Sequence, residues 1–470
     1  MNFRRALVFS IALFCSIGLQ AVAQTEAPKP ATAPAPQAAP QADQRMKADV
    51  LLIVGHPDDE TGVSAYLAQL LDQGKKVAAV YLTHGEAGHN NMGRERAASL
   101  GAVREMELRH AMAQLGIQNV WFLEGKDTPS QDVLQSLGNW GHGKNLEEVV
   151  RMVRLTRPEV IISWLPGIFI GENHGDHQAS GVLAVEAFDS AGDPSVFPAQ
   201  LAQARKVNET LLEGLQPWQP QKIYFFSDAS ADKFIKGKGP QYPTTAISPS
   251  HHLPYWRVSM DTFRFHLTQY RTYIEKLQSL NDEELEKLAG ADQDSWSTPV
   301  ELVFGKSLVQ STPTGDVFEG VQAQPLPFDR LPSPNPKEHK GSSIEIGGPW
   351  NFYEDFRAAH DLVDLPKADV PEIAVAAGST LQFPVILRND DQEPIEVTLS
   401  VNVPEGWTLK NPLPHYKLSH GDVFPIEIEL TTPSKKSDQI SEITCKATVA
   451  SKDIGTVKLR VKVNSGGLPQ

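Results

Sequence analysis

Apolar residues in this chain follow two different periods, and the switch between them divides the sequence. Val50 to Val54 is an unbroken apolar run, the pattern of a strand buried on both faces. Val63, Tyr66, Leu67, Leu70 and Leu71 then recur at helical spacing, and Gly74 closes that segment. Val77–Leu82, Val120–Leu123, Val160–Ile162 and Ile223–Phe226 are further runs with helical patterns between them; Leu108, Ala111, Met112 and Leu115 share one such face. Strands alternating with helices predict a doubly wound, mostly parallel α/β domain over residues 47–280. From residue 368 the period becomes two. Leu381, Phe383, Val385 and Leu387 alternate with other residues, as do Phe424, Ile426, Ile428 and Leu430, and Ile443, Cys445, Ala447 and Val449. Turn residues such as Asn389-Asp390-Asp391 separate the runs, so residues 368–470 read as an antiparallel β-sandwich. Residues 281–367 are rich in Pro, Gly and Ser without a long period and read as an irregular connector.

Charge and hydropathy exclude whole classes. Lys plus Arg is 43 against 57 Asp plus Glu, a net charge of −14 over 470 residues, which is the wrong sign for a nucleic-acid partner. A mean hydropathy of −0.29 excludes a polytopic membrane protein. The N-terminus reads as an export signal over residues 1–23: basic Arg4 and Arg5, an apolar stretch from Ala6 to Leu19, and Ala21-Val22-Ala23 as the cleavage pattern. The expected mature protein is periplasmic or secreted, without an integral membrane span. A Pro/Ala-rich linker follows over residues 24–46. Cys15 leaves with the signal, and Cys445 alone cannot form an internal disulfide, so the cores must hold the fold. Cys445 is expected as a small buried strand residue.

Two clusters carry chemistry. The first strand runs into Gly55-His56-Pro57-Asp58-Asp59-Glu60, and open α/β sheets bind ligands beyond the carboxyl ends of their strands. His56 and Asp59 straddle the turn that Pro57 stiffens, placing both within reach of one metal ion, while Asp58 faces elsewhere. The strand beginning at Val160 leads into Glu172-Asn173-His174-Gly175-Asp176-His177, where His174 and His177 are three apart and Asp176 is expected to cap a helix from Gln178 to Phe188. His and Asp from two loops at one sheet edge predict a three-ligand zinc site with an open position, the mark of a catalytic rather than a structural metal.

His56-Pro57-Asp58-Asp59-Glu60 after a hydrophobic strand, with His174-x-x-His177 downstream, resembles the PIG-L/LmbE family of zinc-dependent N-acetylglucosaminyl deacetylases. Thr83-His84-Gly85-Glu86, Arg104-x-x-Glu107 and His266-x-x-Gln269 follow in the same order. Gly55 stands where the family more usually has Ala. The resemblance implies a Rossmann-like fold, Zn(2+) as cofactor and an N-acetylated sugar or glycoconjugate as substrate. It also implies that His56, Asp59 and His177 are metal ligands, Asp58 the general base, His174 the histidine that, positively charged, stabilises or protonates the tetrahedral intermediate, and Arg104 a substrate contact. His266, on a face with Phe263 and Tyr270, reads as structural or as support for the site. The Pro404-Glu405-Gly406-Trp407 turn resembles those of NEW3-type immunoglobulin-like modules, with Trp407 either a core residue or a glycan-stacking platform. Two other functions fit the same residues: a zinc amidase acting on a thiol conjugate or an acyl amide, and a non-catalytic glycan-binding protein.

Overall fold

The computed structural model describes residues 43–168, 174–201, 215–228, 234–291, 296–329, 339–437 and 439–465. The signal segment and most of the linker, as well as Glu172 and Asn173, lie outside the described residues. Five strands, β1 (Val50–Val54), β2 (Val77–Tyr81), β3 (Val120–Phe122), β4 (Val160–Trp164) and β5 (Lys222–Phe226), pair in parallel. Beyond the small β6 (Gln241–Tyr242) and β7 (Val300–Glu301), strand β8 (Val303–Ser307) closes the sheet antiparallel to β5, giving the order β3-β2-β1-β4-β5-β8.

Alternate strand residues supply opposite cores, which is why the runs are continuously apolar. Leu51, Ile53, Ala78, Val80, Ile161, Ile223 and Phe225 face one core. Helices α3 (Val133–Trp140), α4 (His142–Thr156) and α5 (Gly175–Ser190) cover it. Val50, Leu52, Val54, Ala79, Tyr81, Ile162 and Tyr224 face the other. There they meet α1 (Ser64–Asp72), α2 (Ala98–Leu115) and α6 (Tyr255–Phe263). Helices α7 (Leu267–Ser279) and α8 (Asp282–Ala289) build a smaller cluster with α6 around Met260, Ile274, Leu277 and Leu285. No described helix is long and apolar enough to cross a membrane.

The C-terminal region contains a five-stranded sheet, β10-β17-β16-β12-β14, and a four-stranded sheet, β13-β15-β11-β9. Its strands are β9 (Ser342–Ile346), β10 (Glu372–Ala376), β11 (Thr380–Asn389), β12 (Ile395–Asn402), β13 (Thr408–Leu409), β14 (His415–Leu418), β15 (Val423–Thr431), β16 (Ile440–Val449) and β17 (Lys452–Asn464). Inward residues such as Phe383, Val385, Val397, Ile428, Ile443 and Val461 share one core, as period two requires. Cys445 is buried there, and so is Trp407, which removes the stacking-platform reading.

The expected boundaries need correction. Residues 281–367 are not an irregular connector: β8 completes the α/β sheet and β9 pairs with β11, Ile344 lying opposite Leu387. Helix α9 (Pro349–Ala359) sits between them in sequence and packs Tyr353 and Phe356 into the α/β core. The sandwich therefore starts at 342 rather than 368, and the α/β domain extends past 280. The linker also ends earlier than 46: Asp43 caps a short turn over Gln44–Met46, and its carbonyl accepts from Arg157 Nη2 at 2.9 Å. The sandwich is not purely antiparallel, because β10 runs parallel to β17.

Candidate active site

Strand order reverses about β1 and β4, the position at which open α/β sheets place their ligand crevice. The described residues of both sequence clusters, Gly55–Glu60 and His174–His177, lie there. After β1 the chain turns sharply at Gly55. A Cβ at 55 would sit 3.2 Å from the Asp176 carbonyl oxygen, so the glycine lets the start of α5 come close. Asp58 adopts φ 119°, a conformation L-residues rarely hold and one that costs about 1–3 kcal/mol. Its surroundings impose that conformation. Asp58 N donates to Glu60 Oε2 at 3.1 Å, and Gln269 Nε2 donates to the Pro57 carbonyl at 2.9 Å.

Asp59 is fixed on one side and open on the other. Its Oδ2 accepts from the Gly55 and His56 backbone amides at 2.8 Å each and from Trp164 Nε1 at 2.7 Å. Its Oδ1 is left facing His177 Nε2 at 3.1 Å and His56 Nδ1 at 3.6 Å. Burial pushes the Asp59 carboxyl up, but the His177 and His56 rings outweigh it and hold the group well below the usual carboxylate range. One ligand atom from each of His56, Asp59 and His177 lies within 4.8 Å of the others. Two nitrogens and one carboxylate oxygen suit a zinc-type divalent ion, and three protein donors leave room for a further ligand. The residues present therefore fit the metal. His56, Asp127 and His174 meet the same distance criterion. Asp59 is the better-oriented carboxylate, because three donors fix its far oxygen.

A second ring of carboxylates orients the histidines. His56 Nε2 lies 3.2 Å from Asp127 Oδ1 and 3.3 Å from Asp176 Oδ2. An Nε2–H of His56 has two carboxylate acceptors there and Nδ1 is turned toward Asp59, the carboxylate–histidine pairing that orients metal-binding imidazoles. Burial pushes His56 down, yet Asp127, Asp176 and Asp59 together raise its pKa well above the ordinary value. Asp176 is not the helix cap expected: the cap is His174, whose Nδ1 accepts from Asp176 N at 3.2 Å, and α5 starts at Gly175. This leaves the His174 proton on Nε2. Burial, with the His56 and His177 rings beside it, holds His174 well below the usual imidazole range, so it stands neutral rather than charged.

Asp58 is supported from behind. Tyr270 donates its hydroxyl to Asp58 Oδ2 at 2.9 Å from a kinked position in α7. Burial and the Asp59 charge raise Asp58 to about 6. Glu60, fully buried, accepts from Tyr81 at 3.1 Å and pairs with His266 Nε2 at 2.6 Å, so His266 is a supporting residue.

Arg104 is held by the loop beside the site. Its Nη1 donates to the Gly85 carbonyl at 2.7 Å and its Nη2 to the His89 carbonyl at 2.9 Å, so the buried guanidinium braces the loop from 85 to 89. Glu107 accepts from Thr268 instead of pairing with Arg104.

Residues 51–188 match the family model described as GlcNAc-PI de-N-acetylase, PIG-L. Residues 51–188 are a PIG-L domain. A 1D-myo-inositol 2-acetamido-2-deoxy-alpha-D-glucopyranoside deacetylase of Thermobifida fusca is 28% identical over 242 residues, covering 47% of this chain and 82% of that protein. The protein of the same name from Geodermatophilus obscurus is 32% identical over 165 residues, covering 32% of this chain and 55% of that one. Among solved structures, the N,N'-diacetylchitobiose deacetylase of Pyrococcus horikoshii aligns with a TM-score of 0.36 and 17% identity, over 54% of this chain and 83% of that one.

The PIG-L domain makes the protein a metal-dependent hydrolase of the deacetylase class, which sets aside the non-catalytic glycan-binding reading. Its structure brings His56, Asp58, Asp59, His174 and His177 together and turns Arg104 to the loop beside them. Sequence reasoning missed Asp127, Trp164 and Tyr270. The first two were findable as polar-capable residues at or just past the carboxyl ends of β3 and β4.

Proposed function

We propose that the protein is an exported zinc-dependent deacetylase that hydrolyses the N-acetyl amide of an amino sugar or glycoconjugate. The observation that carries this reading is the open Asp59 Oδ1 facing His56 and His177, with the half-buried Asp58 one residue away. His56, Asp59 and His177 would hold the ion. When bound, a divalent ion supplies Lewis acidity, polarising an amide carbonyl and making water acidic enough to attack near neutral pH.

The chain's own groups do the rest. Asp58 accepts the proton of the attacking water; Tyr270 occupies its Oδ2, which leaves Oδ1 as the accepting atom. Neutral His174 presents Nε2–H as a donor to the developing oxyanion or the leaving nitrogen. As the C–N bond breaks, the proton taken from water ends on the nitrogen, giving acetate and a free amine. Export rests on the basic, apolar and small-residue pattern of residues 1–23. Acetate release from a panel of N-acetyl sugars, with and without a chelator, tests the reaction. Release that survives complete chelation would reject it.

A further inference from the structure

Helix α9 is held by the sandwich and packs beside α5, the helix that His174 caps and that carries His177. Upstream of α9, β9 pairs with β11, and Gly347 N donates to the Pro384 carbonyl at 2.8 Å. Downstream, β10 enters the other sheet beside β17. Trp350 packs against both the α/β core and the sandwich core.

Two polar bolts join α9 to α5. Near the start of α5, the buried Tyr353 hydroxyl donates to Gln178 Oε1 at 2.9 Å. Near its end, Asp189 accepts from His360 Nδ1 at 2.7 Å and pairs with Lys306 of β8. The first bolt falls beside the chemistry. Gln178 is fully buried and follows His177 directly, and its Nε2 reaches the Gln131 carbonyl at 3.4 Å. Gln131 belongs to the loop that carries Asp127 and whose Thr128 N donates to Asp176 Oδ2 at 2.8 Å. Gly175 N donates to Ser130 O of that loop at 2.7 Å. Tyr353 therefore secures, through one amide side chain, both the first turn of α5 and the loop that orients His56.

We propose that Tyr353 is a positioning residue for the metal site and that the C-terminal sandwich is its mount, a structural arm of the active site rather than a tethered module. A buried donor fixing the side chain next to a ligand restricts the ligand's directions, and loss of such outer partners weakens metal binding. The proposal rests on His177 being a ligand.

The test uses the full chain and chelator competition with zinc alone. Tyr353→Phe removes one oxygen and keeps the ring packing. It should weaken zinc affinity by about 3- to 10-fold, below the 10–100-fold typical of partners bonded directly to a ligand. At saturating zinc it should lower kcat more than it raises KM. Gln178→Leu should weaken zinc to the same degree, and the double variant should be no worse than either single one. His360→Gln, at the far bolt, should lower Tm while leaving zinc affinity unchanged. His177→Ala separates the two readings. If it loses zinc while Tyr353→Phe binds zinc as tightly as the parent, the positioning role is wrong and the ligand assignment stands. If His177→Ala keeps full zinc affinity, the ligand assignment fails and the positioning role with it. Equal zinc loss in Tyr353→Phe and His360→Gln, tracking Tm, would also overturn the proposal.

Discussion

The indole of Trp164 lies flat on the imidazole of His177, ring centroids 4.1 Å apart and planes within 4°. The same indole donates Nε1–H to Asp59 Oδ2 at 2.7 Å. One side chain at the end of β4 thus orients two candidate ligands that come from different segments, the turn after β1 and the first turn of α5. Trp164→Phe keeps a stacking ring and removes the donor. It should weaken zinc affinity by about 10-fold, within the range for outer partners of a metal site, with little change in fold. Chelator competition on the folded variant checks this; an unchanged affinity would leave Asp59 adequately held by the two backbone amides alone.

The pH dependence should follow Asp58. A general base works only when deprotonated, so activity should fall as pH drops through about 6, the value to which burial and the Asp59 charge raise this group. Tyr270 donates to the charged form of Asp58 and so favours it. Tyr270→Phe should move the acid limb of kcat/KM to higher pH. A rate–pH profile that keeps its acid limb in place in Tyr270→Phe would show that this hydroxyl does not tune the base.

Much of this arrangement was legible in the sequence, for a local reason. Val50–Val54 and Val160–Ile162 read as buried strands because each of these apolar residues meets one core or the other; the first cluster follows its strand at once and the second comes at residues 172–177. What was not legible depends on distant pairing. The β8 strand contains Gly305 and Lys306, and its apolar content makes sense only beside β5, about 80 residues away in sequence. Strand β9 carries Ser342, Ser343 and Glu345 and is a strand because β11 offers it a ladder. The resemblance implies Arg104 as a substrate contact, while the structure shows it bracing the loop from 85 to 89. Its two bonds to backbone carbonyls leave no side-chain pattern to read. The lowered pKa of His174 is not legible in sequence because burial, and then the neighbouring His56 and His177 rings, act through space.

Truncation should expose the same long-range dependence. A chain ending at 367 keeps β9 and α9 but loses β11, β10 and the sandwich core against which Ile344 and Trp350 pack. It should express as a destabilised, aggregation-prone protein with weakened zinc binding, since orphaned apolar strands seek other partners. Size-exclusion chromatography with zinc titration measures both. A monomeric truncated protein with parental zinc affinity would restore the sandwich to the status of a separable module.

The central claim is that Asp58 moves the proton while Asp59 helps hold the metal. Acetate release from an N-acetylglucosamine-bearing sugar, measured with zinc content on the same samples, tests it most directly. Asp58→Asn should retain zinc and lose at least about 100-fold in kcat, because an amide cannot accept the proton. Asp59→Asn should lose zinc affinity and activity together. If Asp58→Asn loses zinc to the same extent as Asp59→Asn, or retains both zinc and full acetate release, the account of this site is wrong.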